Sequence, residues 1–113
     1  MASEKKRREP DEVPSVEAGG LLYEAPHAGV PLGFAQDGGI VTARDLSSGA
    51  LLWSQQVYPV RHDEDIEDDK QDVFITRLAL SVDGRVLSVD NERGERYLLG
   101  LFDRSVERVV GPD

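Results

Sequence analysis

The chain has 113 residues, no cysteine, and 22 acidic against 13 basic side chains, a formal net charge of −9. That length argues for one domain, and without cysteine there are no disulfides, thiolate metal sites or cysteine nucleophiles. A charge of this sign argues against general affinity for nucleic acid, and no apolar run approaches the length of a membrane span.

Leu, Ile, Val and Phe number 31, about 27% of the residues, which is enough to build a core. Residues 1–20 read as a disordered charged tail. Its one basic cluster, Lys5 to Arg8, is offset by Glu4, Glu9, Asp11 and Glu12, and only Val13 and Val16 could be buried. The positive charge has no apolar stretch behind it, so no secretory leader is expected and the expected location is cytoplasmic.

From Leu21 the pattern predicts a single all-β domain over residues 21–110. Leu21–Ala25 is a short apolar run stopped by Pro26, which suits an edge strand. His27–Asp37 is expected to be loop, with a brief strand around Leu32–Ala35. Asp37-Gly38-Gly39 then turns the chain into Ile40–Leu46, and Ser47-Ser48-Gly49 turns it again into Ala50–Tyr58. The two-residue period places Leu51, Trp53 and Val57 on one face of that strand, read as the core side. Residues 61–71 are expected to be a mobile acidic loop, since aspartates disfavour a turn of helix over Glu64–Gln71. Beyond it, Val73–Val82 and Arg85–Asp90 flank Asp83-Gly84, a strong hairpin signal. Asn91–Gly94 makes the next turn. Glu95–Phe102 follows with Tyr97, Leu99 and Leu101 on one face, and Val106–Val110 is a last short strand. The sum is an antiparallel β-meander of about 5–7 strands.

Within the first hairpin, Gly39-x-Val41-x-Ala43-x-Asp45-x-x-Ser48-Gly49-x-x-x-Trp53 resembles the repeat of PQQ-type β-propellers. The resemblance implies that Ala43 packs between blades, Asp45 and Ser48 bond the turn backbone, Gly49 takes a positive φ and Trp53 covers the blade face. A closed propeller needs at least about four blades of four strands, and residues 21–113 can make two at most. The fold implied is therefore blade-like and not a closed propeller, and the family's cofactor and metal sites do not carry over. Asp72–Ile75 with Asn91–Tyr97 is similar to small bacterial β-rich proteins bearing the same hairpin, a likeness that implies no activity and no cofactor.

Chemistry concentrates in the acidic loop, where seven carboxylates stand against Arg61 and Lys70 between residues 61 and 72. Asp63, Glu64, Asp65, Glu67, Asp68 and Asp69 would steer a basic protein partner. The alternative is a divalent-cation or small-ligand binder through Asp63, Asp65, Glu67 and Asp69, whose alternating carboxylates suit a hard cation. An EF-hand loop does not match, because Asp68 and Phe74 stand where glycine and glutamate belong. Asp63 and Glu67 lack the support a glycosidase carboxylate pair needs. His27 and His62 read as ordinary surface histidines, since no serine-nucleophile motif accompanies them. Trp53, Tyr58, Phe74 and Tyr97 read as packing residues. The expected function is a non-enzymatic interaction or scaffold module, with self-association through sheet edges as a second mode.

Overall fold

A computed structural model of the chain describes residues 12–60 and 73–109. It is all-β: eight antiparallel strands form two four-stranded sheets, each in sequence order. The first sheet contains β1 (Val16–Ala18), β2 (Leu21–Glu24), β3 (Ile40–Asp45) and β4 (Leu51–Gln56). The second contains β5 (Ile75–Leu80), β6 (Val86–Asn91), β7 (Arg96–Gly100) and β8 (Val106–Arg108). The expected single meander of 5–7 strands is thus two meanders and eight strands, and neither sheet closes into a barrel or propeller.

The turns explain the order. Gly19-Gly20 joins β1 to β2 with both φ angles positive (59° and 79°), the geometry of a two-residue hairpin. At the others, a side chain at the strand end substitutes for missing backbone partners. The Asp45 carboxylate accepts from the Ser47 and Ser48 amides at 2.8 and 3.3 Å. Asp83 accepts from the Arg85 amide at 3.1 Å, and Asn91 from the Arg93 and Glu95 amides at 3.0 Å each.

Four sequence expectations are corrected. The tail does not extend to residue 20, because Val16–Ala18 pairs with β2 and Val13, Val16 and Ala18 pack on the core. β2 is consequently interior and not an edge. Val30–Leu32 forms a single 3-10 turn where a strand was expected at Leu32–Ala35. Leu51 does not share a face with Trp53. Ala43 pairs with Trp53 but Arg44 pairs with Leu51, so Leu52 is an extra residue that reverses the alternation. Leu51 is accordingly 41% exposed while Val57 is buried. The expected face of Tyr97, Leu99 and Leu101 stands: Leu99 is fully buried, and its two neighbours pack against the core.

One core serves both sheets. It draws Tyr23, Val41 and Ala43 from the first sheet and Leu78, Leu87, Val89 and Leu99 from the second. Tyr58, just past β4, stacks on Tyr97 of β7 with ring centroids 5.1 Å apart. Its hydroxyl donates to the Val73 carbonyl at 2.6 Å, and burial pushes its ionisation well above the usual tyrosine range. Tyr58 and Val73 flank residues 61–72, so the two stems of that segment are bonded to each other. Gly38 lies against the same stem: a Cβ there would fall 2.4 Å from the Val73 carbonyl oxygen, which no side chain tolerates.

Candidate functional site

Two features of the described residues could engage another molecule: a cleft on the outer face of the first sheet, and the outer edge of β4.

The cleft follows from strand alternation. Tyr23 and Ala43 point to the core, so Glu24, Thr42 and Arg44 point to the opposite face. Register places Glu24 opposite Thr42 and Leu22 opposite Arg44. The Arg44 Nε donates diagonally to Glu24 Oε1 at 3.1 Å, and its Nη1 donates to the Gly49 carbonyl at 3.3 Å. The loop after β2 folds over this face, held where Gly29 closes on Ile40 and where the Val30 amide donates to Asp37 at 3.0 Å. With residues 12–15 on the other side, it borders an open cleft of about 780 Å³ above the ion pair.

His27 stands in the cleft wall, its ring edge-on to Phe74 with centroids 5.3 Å apart. It is not an ordinary surface histidine. Its Nε2 is buried and is the one buried side-chain polar atom without a hydrogen-bond partner among the described residues. Such an atom costs about 1–3 kcal/mol when nothing bonds to it. Buried Gln36, in the same loop, shows the contrast. Its Nε2 donates to the Gly38 and Tyr58 carbonyls at 2.8 Å each, and its Oε1 accepts from the Val60 amide at 2.8 Å.

The second feature emerges from comparing the four sheet edges. Proteins blunt exposed edges with short strands, charges and irregular register. β1 and β8 have three residues each and carry Glu17 and Glu107-Arg108. β5 carries Arg77 and a register shift between Ile75 and Arg77. β4, Leu-Leu-Trp-Ser-Gln-Gln, has six residues with no charge, proline or glycine, and its irregularity is confined to Leu51-Leu52. Among the described residues it pairs only with β3. Leu51 and Leu52 are 41% and 51% exposed, and the Arg104 guanidinium lies 5.5 Å from the Trp53 ring.

Charge is distributed unevenly between the sheets. Residues 12–60 hold five carboxylates and one arginine, whereas residues 73–109 hold six of each sign. In the second sheet Asp90 lies opposite both Arg77 and Arg96 in register. The Arg96 guanidinium bonds it through two oxygens at 2.7 and 3.1 Å and holds its carboxyl below the usual carboxylate range. Asp45 is held low in the same direction by the Ser47 hydroxyl, with the Ser47 and Ser48 amides adding to it.

Asp63, Glu64, Asp65, Glu67, Asp68 and Asp69, the metal and partner residues expected from sequence, lie outside the described residues. Among the described residues no three His, Asp or Glu side chains converge on a metal position, and no helix is long and apolar enough to cross a membrane. The cleft was not foreseen, because it depends on Glu24 and Arg44 meeting across a strand pair. The uncharged edge was directly readable in residues 51–56. Comparison with protein families and with curated proteins finds no match to this chain.

Proposed function

We propose that the chain is a non-enzymatic interaction module that binds an extended polypeptide segment by strand addition along β4. The observation that carries this reading is the contrast between β4 and the other three edges. Each of those is short, charged or irregular, whereas Trp53–Gln56 offers regular, uncharged backbone beside two exposed leucines. In strand addition the main chain supplies affinity, and alternate side chains supply selectivity. The acidic segment begins five residues beyond β4 and carries a net charge of −5 over residues 61–72. Such a charge accelerates encounter with a basic partner.

The test is selection of extended peptides from a random library on the whole chain, followed by amide hydrogen exchange of the complex. Bound peptides are expected to slow exchange in residues 51–56. Leu51→Lys with Leu52→Lys, at exposed positions, should abolish binding without unfolding the protein. Peptides that protect other residues, or that bind the double variant equally well, would overturn the reading.

A further inference from the structure

The cleft on the outer face of the first sheet points to a second binding function, independent of β4. We infer that it binds a small zwitterion with an additional cationic group, the chemistry of a basic α-amino acid.

Two observations converge on this. The cleft, open on one side, has a volume of about 780 Å³, within the roughly 300–1,000 Å³ typical of small-molecule sites.

Charge defines the ligand class. The cleft holds two carboxylates, Glu12 at the rim and Glu24 at the floor, and one guanidinium, Arg44. The ion pair on the floor uses Arg44 Nε and Glu24 Oε1, and Arg44 Nη1 goes to Gly49, so among the described residues Arg44 Nη2 and Glu24 Oε2 have no hydrogen-bond partner. A ligand carboxylate would bond the first and an ammonium the second, both as charge-assisted hydrogen bonds. Glu12 then faces a second cationic group. A ligand with one carboxylate and two ammonium groups balances the cleft charge for charge. Val13, Pro26 and Leu32 supply apolar wall for the aliphatic stem between them.

The experiment is titration of the whole isotope-labelled chain with L-lysine, followed by amide NMR. Amides of residues 13, 15, 25, 27, 28, 42 and 44 should shift and saturate in the millimolar range or below. L-Norleucine, without the side-chain ammonium, and cadaverine, without the carboxylate, should each bind about tenfold or more weaker, one charge-assisted contact being lost. Glu12→Gln, an exposed position where folding is unaffected, should weaken L-lysine about tenfold and leave L-norleucine unchanged. Arg44→Gln should weaken L-lysine and L-norleucine but not cadaverine. Absence of saturable shifts, saturation confined to residues elsewhere, equal binding of the three probes, or indifference to Glu12→Gln would overturn the inference.

Discussion

Replacing Gln36 with leucine tests the packing between the covering loop and the stems of the acidic segment. Gln36 is 5% exposed, and its amide closes three hydrogen bonds at 2.8 Å each. Leucine has nearly the same volume, so the change removes polar partners with little cavity. The Tyr58 carbonyl, on a residue only 3% exposed, loses its bond to Nε2, and the half-buried Val60 amide loses Oε1. A hydrogen bond contributes about 1 kcal/mol net, and orphaning a buried partner costs about 1–3 kcal/mol, so a total of about 2–3 kcal/mol is expected. For a domain of this size that lowers Tm by roughly 10–20 °C. Urea unfolding should show the midpoint falling with the slope unchanged.

Gln36→Glu gives the same site a pH signature. The new carboxylate would be buried and would face two carbonyl oxygens, which raises its folded pKa above its unfolded value. A raised pKa means the native state holds the proton more tightly, so the variant is least impaired below the unfolded pKa and worsens as pH rises. Its deficit relative to the parent chain should grow between about pH 4 and pH 7. A loss under about 0.5 kcal/mol for Gln36→Leu, or a deficit for Gln36→Glu that does not grow with pH, would refute the hydrogen-bond argument.

Further expectations attach to individual side-chain contacts. Tyr58→Phe should cost about 1 kcal/mol near neutral pH through the lost bond to Val73. Burial raises the Tyr58 pKa above its unfolded value, so the native state loses stability as pH rises beyond about 10, and Tyr58→Phe should flatten that limb of a pH–stability curve. Arg96 lowers the Asp90 pKa, so the opposite sign applies: this contribution is present above the unfolded carboxylate pKa and is lost as pH falls below it. Asp90→Asn should flatten the acid limb of the same curve. Arg104 sits at φ 58° with its guanidinium 5.5 Å from the Trp53 ring, so backbone strain and a cation–π contact oppose each other. Arg104→Ala, which keeps the strain and loses the contact, should cost about 0.5–1 kcal/mol, and Arg104→Gly should recover about 1 kcal/mol relative to it. Both should alter Trp53 fluorescence.

Much of the fold was legible because it is encoded over short distances. Asp45–Gly49, Ser81–Gly84 and Asn91–Gly94 each place an acceptor side chain and a glycine at turn spacing, and β3 to β8 follow from the runs between them. β1 was hidden because three residues with Glu17 at the centre carry almost no period. What makes it a strand is the edge of β2, together with the core that Val13 and Val16 help to cover. The reversal at Leu52 was hidden for a related reason: a bulge is a relation between two strands, and alternation within one strand cannot show it.

The candidate sites divide along the same line. The uncharged β4 edge is a property of six consecutive residues and is visible without a structure. That it deserves weight follows only from comparison with the other edges, and which strands are edges depends on the pairing order. The cleft is further from view. Glu24 and Arg44 lie 20 residues apart, on strands whose pairing and face must both be known before an ion pair can be drawn between them. His27 adds no signal of its own, since a histidine in a loop of prolines and glycines is ordinarily solvated. Only the folded structure shows its Nε2 buried and, among the described residues, without a partner. The acidic segment is conspicuous in the sequence because it concentrates charge in one run. The charges of the cleft are fewer, but a sheet face and a covering loop hold them in fixed relation, and selectivity for a small ligand depends on that fixed geometry more than on charge density.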